Sequence, residues 1–214
     1  PARAPTLPVP VANDGDDYEG QIAGRKRIQS PEEKDIQGRL ILLPTANAPA
    51  AEAGTRTSPI DNGNLNRSFP GDPAGTPTQM IAHYVEEVLL PMCDYTVDLH
   101  SGGTSLHYPA TLLRGPAHTP EEEAGLNLLS DAFDLPYAWV FTGGGGKSST
   151  ARTAMGAANR KGVINVMAEL GGGGTITPDL LADTERGLPR ILHALQLPPA
   201  YEQGAPRAAP HTHP

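Results

Sequence analysis

The sequence predicts one α/β domain, a mixed central sheet flanked by helices. Helix and strand signals alternate along the chain, which is the pattern of a layered α/β fold, and no internal repeat is present. The 214 residues suffice for one large α/β domain, and 24 glycines with 23 prolines predict many turns between its elements. Because ligands bind outside the carboxyl ends of strands in open α/β sheets, we expect a functional site at those ends.

The first half of the chain predicts three strands and two helices. A short strand over residues 9–12 precedes a helix, and the apolar run 39–44 predicts a buried strand that its proline stops. A second helix begins at Thr76, which is followed by an N1 proline and a capping-box glutamine, and Pro91 ends it. Polar and apolar residues alternate over 93–100, which places one polar set on a single face: Asp94, Thr96, Asp98 and His100.

The second half predicts three further strands, over residues 106–113, 137–141 and 163–169. A helix begins at Thr119, where a proline and two glutamates follow the threonine N-cap. The last helix begins at Thr177 and contains Pro189, which is expected to kink it because proline lacks the N–H of a helical hydrogen bond.

Both ends of the chain are expected to be loose, and residues 11–197 form the predicted domain between them. Four prolines fall within residues 1–10 and five within the Pro-rich tail, residues 198–214. Proline cannot donate to a strand ladder, so neither end is expected to pair regularly. A chain that starts with proline instead of methionine is also expected to be processed or cut from a longer protein.

Charge and apolar content disfavour several classes of partner. The formal net charge is -8 and the longest Lys/Arg run has only three residues, 25–27, which argues against nucleic-acid and anionic-membrane binding. Apolar runs reach only about five residues, whereas a bilayer-spanning helix needs about 20. The single cysteine, Cys93, excludes an internal disulfide and a multi-cysteine zinc site. With no visible secretory segment, the sequence favours the cytoplasm.

Two strand ends carry residues suited to catalysis. His100 ends a predicted strand just before two glycines, where an imidazole can bind a metal and Asp98 on the same face can orient it. A surface histidine at a turn is the alternative. Glu169 ends another strand before the glycine run 171–174, which leaves the room above the carboxylate that a general base requires. A plain strand terminus fits this second pattern as well.

Two polar segments complete the set of candidates. Four carboxylates fall within residues 14–19, a density that repels itself unless a cation, a basic partner or water relieves it. A solvated acidic turn is the alternative. The polar stretch 56–71 carries Arg56 and the pair Asn66 and Arg67, and a guanidinium beside an amide suits a carboxylate ligand. An ordinary loop is the alternative for this stretch.

A glycine run over residues 143–146, followed by Lys147 and Ser148, suggests a phosphate-binding loop. The Walker pattern requires a glycine five positions before the last glycine of the run, where this chain has Phe141. We therefore expect a flexible loop near the site instead of a nucleotide-binding protein.

Four segments, taken in order, resemble the succinylglutamate desuccinylase/aspartoacylase family of zinc carboxypeptidase-like amidohydrolases, in particular its N-acetyl-diaminobutyrate deacetylase branch. The segments are NDGDDYEG (13–20), the stretch from GTRTSPID to LNRSFPG (54–71), DLHSGG (98–103) and ELGGGG (169–174). The resemblance runs from about Asn13 to about Leu195. It implies a zinc carboxypeptidase-like fold and one zinc ion per chain, held by a His-x-x-Glu pair and a later histidine.

Carried onto this chain, the resemblance assigns each candidate residue a role. Asp14, Asp17 and His100 take the positions of the metal ligands, and Glu169 takes that of the base. Arg56 matches the arginine that polarises the scissile carbonyl, and two residues match a clamp for the substrate carboxylate: Asn66 and Arg67. The implied function is a metal-dependent deacylase that cleaves a small N-acyl, in particular N-acetyl, amino acid through metal-bound water and the glutamate base.

The first metal-binding segment departs from the family pattern. Asp14 stands where the family has histidine, and Asp17 stands where it has glutamate. The shorter Asp17 withdraws its carboxylate by about 1.5 Å. Two aspartates with His100 are also a harder donor set, so Mn²⁺ or Mg²⁺ is an alternative to Zn²⁺. The alternative function is a catalytically impaired member that binds an amino-acid carboxylate without hydrolysing the amide.

Overall fold

The structure is a computed structural model, and it describes residues 6–10, 14–29, 36, 38–142, 150–197 and 211–213. Strands and helices alternate within these residues as the sequence predicts. The strands are β1 Thr6–Pro10, β2 Arg39–Leu43, β3 Tyr95–His100, β4 His107–Arg114, β5 Tyr137–Val140, β6 Ile164–Gly172 and β7 His211–His213. The α-helices are α1 Tyr18–Ile28, α2 Ala48–Ala53, α3 Pro77–Tyr84, α4 Pro120–Phe133, α5 Ala154–Arg160 and α6 Pro178–Ala194.

Five of the strands form one mixed sheet in the order β3-β6-β4-β5-β7. Strand β6 pairs parallel with β3 and antiparallel with β4, while β5 pairs parallel with both β4 and β7. Strands β1 and β2 form a separate parallel pair. The predicted mixed central sheet flanked by helices is therefore confirmed.

The central sheet sends apolar side chains to one face and polar side chains to the other, because successive residues of a strand alternate in direction. On β3, Val97 and Leu99 are fully buried in the main core, which α4 and α6 cover. Asp98 and His100 occupy the alternate positions, and the strand register sets His100 beside Glu169 of β6. The catalytic candidates of these two strands therefore share the face opposite the main core.

A second apolar cluster packs between α3, α5 and a π-helical turn, Val85–Leu89. Leu65 and Phe69 are both almost fully buried in this cluster. Leu65 begins the 3₁₀ turn Leu65–Arg67, which carries two candidate residues of the polar stretch, and Phe69 follows that turn. This cluster therefore ties the predicted carboxylate clamp to the body of the domain.

The predicted helix starts are confirmed by their caps. The Thr76 N–H donates to Gln79 Oε1 (2.9 Å), which completes the capping box of α3. At α4, the Glu122 N–H donates to Thr119 Oγ1 (3.1 Å). Helix α6 contains Pro189 and continues beyond it for five more residues, to Ala194. Among the described residues, no helix is both long and apolar enough to cross a membrane.

The expectation that neither end pairs regularly is wrong at two places. Thr6–Pro10 pairs with β2, and His211–His213 pairs with β5 at the edge of the main sheet. Pro8 and Pro10 are two positions apart, so their missing N–H groups face the same side of β1 and leave the other side to pair. Strand β7 contains no proline at all.

Several predicted features fall on residues that the structure does not describe. They are the last two residues of the first predicted strand, the glycine loop 143–148, and the rest of the two ends, residues 1–5, 198–210 and 214. The boundaries of the predicted domain, residues 11–197, stay a prediction.

Candidate active site

Three predicted metal ligands converge at the carboxyl end of β3. Asp14, Asp17 and His100 each offer one ligand atom, and these atoms all lie within 4.8 Å of one another. All three side chains are buried, with exposed fractions of 4%, 1% and 5%. Two distant parts of the sequence, the loop before α1 and the end of β3, therefore meet at one point.

The Asp17 carboxylate is held by the backbone that follows β3. Its Oδ1 accepts hydrogen bonds from the Ser101 N–H (2.8 Å) and the Ser101 hydroxyl (3.0 Å). Its Oδ2 accepts from the Asp14 N–H (3.3 Å) and lies 3.2 Å from His100 Nδ1. These contacts bring the loop close enough that the aspartate, although one methylene shorter than glutamate, reaches the histidine.

The His100 imidazole lies between two carboxylates. Its Nε2 is 2.9 Å from Asp98 Oδ2, which is the orienting contact that the shared strand face predicts. Burial by itself lowers the pKa of His100, but the negative charge of Asp98 and the hydrogen bonds to Asp17 and Asp98 outweigh it and raise the pKa well above its usual value. The Nδ2 of Asn66 also lies 3.4 Å from Nε2.

Asp14 keeps one oxygen without a partner. Its Oδ2 is 3.5 Å from an Arg56 guanidinium nitrogen, while its buried Oδ1 has no hydrogen-bond partner among the described residues. Burial raises the pKa of Asp14 to about 6, although the positive charge of His100 acts in the opposite direction. An unpartnered buried carboxylate oxygen is costly unless a ligand or water satisfies it.

Glu169 has the environment expected of a general base. Its side chain lines the same cavity as His100, and within the described part of the chain its buried Oε2 has no hydrogen-bond partner. Burial raises the pKa of Glu169 to about 7, partly offset by the positive charge of His100. A carboxyl group with a pKa near 7 can both accept and return a proton at neutral pH.

Asn66 and Arg67 adjoin the metal-ligand candidates. Asn66 Oδ1 accepts a hydrogen bond from the Ala154 N–H (2.9 Å) at the start of α5. The Arg67 guanidinium donates to the Asn66 carbonyl (2.7 Å), and both side chains line the cavity. The amide is therefore fixed by the helix start, and the guanidinium is fixed beside it.

The cavity that joins these residues has a volume of about 530 Å³. Its wall includes all the predicted site residues except Asp17, which lies behind Asp14 and His100: Asp14, Arg56, Asn66, Arg67, His100 and Glu169. A bulge in β4 between Tyr108 and Thr111 lets residues on both sides of it line the wall. The volume lies within the range of pockets for small molecules.

Two supporting contacts were missed by the sequence interpretation. Ser101 holds Asp17, and Asp16 Oδ2 accepts the Thr104 N–H (2.9 Å), so the acidic loop is bonded to the turn after β3. Gly103 has a φ of +55°, and a Cβ there would come within 2.4 Å of Asp16 Oδ2. The DLHSGG segment contains the signal that could have predicted both contacts: a hydroxyl next to the candidate ligand His100, and a glycine where the acidic loop approaches.

The donor set fits a single divalent cation. Ligands about 2.1 Å from an ion lie up to roughly 4.2 Å apart, so the three ligand atoms need to move by less than about 1 Å. The unpartnered Asp14 Oδ1 supplies a further oxygen on the same side chain. Carboxylate and imidazole donors suit zinc and manganese alike.

Comparisons with known proteins point to one family. The profile of the succinylglutamate desuccinylase/aspartoacylase catalytic domain matches residues 3–195. The chain is 43% identical over 190 residues to the N-alpha-acetyl-L-2,4-diaminobutyric acid deacetylase of Halomonas elongata. That match covers 89% of this chain and 54% of the deacetylase, so the chain spans about half the length of this curated relative.

Solved structures share the fold. The product-bound ectoine utilization protein EutE (DoeB) from Ruegeria pomeroyi superposes with a TM-score of 0.89 at 36% identity, over 99% of this chain and 63% of that one. A succinylglutamate desuccinylase/aspartoacylase from Rhodobacter sphaeroides superposes with a TM-score of 0.86 at 32% identity, over 98% and 62% of the two chains.

Proposed function

The chain belongs to the succinylglutamate desuccinylase/aspartoacylase family, and from that premise we propose that it is a metal-dependent amidohydrolase that releases the acyl group of an N-acyl amino acid. The single observation that supports this most is the cluster of Asp14, Asp17 and His100 at the wall of the cavity that Glu169 also lines. Amide hydrolysis by water requires a group that activates the water and a group that accepts its proton. A metal-ligand cluster beside a carboxyl group with a pKa near 7 offers both.

Asp14, Asp17 and His100 would hold one divalent ion, either Zn²⁺ or the harder Mn²⁺ or Mg²⁺. Such an ion lowers the pKa of a water molecule and polarises a carbonyl oxygen. Asp98 holds the His100 ring through Nε2, which leaves Nδ1, 3.2 Å from Asp17 Oδ2, as the nitrogen that would bind the ion.

Glu169 moves the proton. Its carboxylate accepts the proton that the attacking water loses, and the resulting carboxyl group donates it to the nitrogen of the departing amine as the C–N bond breaks. The proton count is then balanced, because the products are a free amine and a short carboxylic acid. A pKa of about 7 keeps a large share of Glu169 ready to act as a base at neutral pH.

Arg56 and the Asn66–Arg67 pair act on the substrate. The Arg56 guanidinium is half-exposed at the edge of the cavity, close to Asp14, where it can stabilise the negative charge that develops on the carbonyl oxygen. Asn66 and Arg67 offer amide and guanidinium donors for a free α-carboxylate. The substrate is thereby an N-acyl amino acid with its carboxylate unmodified.

The test is hydrolysis by the 214-residue chain of N-acetyl-L-alanine and of Nα-acetyl-L-2,4-diaminobutyrate, the compound in the relative's name. We expect acetate release that depends on added Zn²⁺ or Mn²⁺ and that is lost, together with stoichiometric metal, in Asp14→Ala and His100→Ala. Val88→Ala, which changes an exposed residue outside the cavity, serves as the matched control. Metal-independent acetate release, or full activity in His100→Ala, would reject the proposal.

A second candidate function is binding of an amino-acid carboxylate without hydrolysis. It is favoured by the direct 3.2 Å contact between Asp17 Oδ2 and His100 Nδ1, together with the two Ser101 hydrogen bonds that already engage Asp17 Oδ1. Protein that binds alanine through Arg67 yet takes up neither Zn²⁺ nor Mn²⁺ at excess concentration would establish this function. Asp14→His combined with Asp17→Glu should then restore zinc binding.

A further inference from the structure

The cavity divides into a charged end and an uncharged arm. The acidic and basic residues that line it all lie at the end that holds the proposed metal ligands and the proposed clamp: Asp14, Arg56, Arg67, His100 and Glu169. Other lining residues form what we call the apolar arm: Leu113, Trp139, Phe141, Met155 and Met167. Among the described residues that line the cavity, none outside the charged end carries a charge. A ligand that fills the whole cavity therefore meets two chemically different environments.

The strand register shows where the arm lies. Met167 of β6 is paired with Leu113 of β4, and Leu113 is paired with Trp139 of β5, so all three side chains are on the face that carries Glu169. Neighbouring strands are about 4.8 Å apart, which sets β5 roughly 10 Å from β6. Trp139 packs edge-to-face on Phe141, with ring centroids 5.4 Å apart at an interplanar angle of 78°. The arm therefore runs across the sheet, away from the base.

The arm is adjacent to the proposed carboxylate clamp. Asn66 is bonded to the Ala154 N–H, and the next residue, Met155, lines the arm. In an N-acyl amino acid, the carbon that bears the carboxylate also bears the side chain. A substrate whose carboxylate is held by Asn66 and Arg67 thus directs its side chain into the arm, while its acyl group stays beside the metal ligands. This step rests on the proposed function.

We infer that the apolar arm selects N-acyl amino acids with extended, uncharged side chains. An alkyl or aromatic side chain gains from leaving water for a wall of leucine, methionine and aromatic rings. An ammonium group in the same position loses its hydration, and no described lining residue of the arm supplies a carboxylate to replace it. A cation–π contact with the Trp139 ring would offset only part of the lost hydration energy, because this side chain is 42% exposed to water.

A matched pair of substrates tests this selection. Nα-acetyl-L-norvaline and Nα-acetyl-L-2,4-diaminobutyrate have the same number of heavy atoms, and their side chains differ only in ending with a methyl or an ammonium group. We expect kcat/KM to be at least about tenfold higher for the norvaline compound, and Trp139→Leu to lower that ratio by less than Trp139→Ala does. Equal rates, or a preference for diaminobutyrate, would overturn the inference. Hydrolysis of N-acetyl-L-alanine is the reference for the proposed function itself.

A binding measurement keeps the two proposals distinguishable. Trp139 is the single tryptophan of the chain, so its fluorescence reports on the arm directly. We expect L-norvaline to shift the emission to shorter wavelength, L-alanine to leave it unchanged, and Leu113→Ala to weaken norvaline binding about tenfold, with Val88→Ala as control. If no substrate is hydrolysed but norvaline shifts the emission, the proposed function is rejected and the inference that the arm binds uncharged side chains is supported. If norvaline leaves the Trp139 emission unchanged, the inference about the arm is rejected whatever the hydrolysis result.

Discussion

The two faces of the central sheet are built from the same strands, and at β3 both are buried, yet they do different things. On β3, Leu99 is fully buried against α4 and α6, and the adjacent His100 is only 5% exposed on the other face. The apolar side chains of the core face need only packing contacts, because they carry no hydrogen-bonding groups. On the site face, Asp98 and Ser101 contact His100 and Asp17, whereas the cavity-lining residues Asp14 and Glu169 each keep one buried oxygen, Oδ1 and Oε2, with no hydrogen-bond partner among the described residues.

That difference shows where binding energy is available. Burial alone does not mark a functional residue, because the core residues are as inaccessible as the candidate ligands. An unpartnered polar atom in a cavity does, since a bound cation, water or substrate relieves the cost of burying it. Substitutions on the two faces should therefore separate activity from stability, and the following predictions are ordered by the size of the expected effect.

The largest effect is expected on the site face. Glu169→Gln removes the proton acceptor while keeping nearly the same shape, so kcat should fall by about 10²–10⁴-fold. Thermal unfolding should show no loss of stability, because a neutral amide replaces a buried carboxyl group. Steady-state kinetics with a melting curve checks both. A fall in activity accompanied by an equally clear fall in melting temperature would contradict the separation of the two faces.

The matching substitution on the core face is Leu99→Ala. It leaves a cavity between β3 and the covering helices, so the free energy of unfolding should fall by about 2–5 kcal/mol. Metal stoichiometry should stay unchanged in the folded variant, because His100 keeps its contacts with Asp17 and Asp98. Urea unfolding and elemental analysis measure the two outcomes. Loss of metal from a variant that remains folded would show that the faces are coupled.

A pH-dependent difference in stability is expected from Glu169. Its pKa rises from 4.5 to about 7 on folding, so the folded state favours the neutral acid. The contribution of Glu169 to the free energy of unfolding is therefore fully present below about pH 4.5 and is lost as the pH rises through 7. Its size is about 1–3 kcal/mol. The wild-type protein should therefore lose stability relative to Glu169→Gln between pH 4.5 and 7. Urea unfolding with a chelator present measures it, and a difference independent of pH would contradict it.

A smaller effect is expected where the two loops meet. Ser101→Ala removes the hydroxyl that holds Asp17 Oδ1 but leaves the backbone N–H, so metal affinity should fall by about 10–100-fold while the fold persists. Ser68→Ala, which alters a hydroxyl bonded to the backbone outside the cavity, is the control. Metal titration followed by calorimetry checks the prediction. An affinity equal to that of the control variant would mean that the backbone alone positions Asp17.

Much of the scaffold could be predicted because its signals are local. The threonine caps located the starts of α3, α4 and α6, and the alternation over 93–100 assigned Asp98 and His100 to one face before any strand pairing was known. The paired ends were not predictable in this way. Whether Thr6–Pro10 pairs depends on which side of the strand its prolines face and on a neighbouring strand about 33 residues later.

The order of residue types by itself determined the α/β class and the face on which Asp98 and His100 lie, and the resemblance of four segments to a known family supplied the proposed ligand, base and clamp residues. Only the tertiary structure decided that Asp17, one methylene shorter than expected, reaches His100, because this depends on hydrogen bonds from Ser101, 84 residues away. It also decided that Glu169 titrates near neutrality and that the cavity has an uncharged arm. Burial and cavity shape arise from the surrounding chain as a whole, which no short segment encodes.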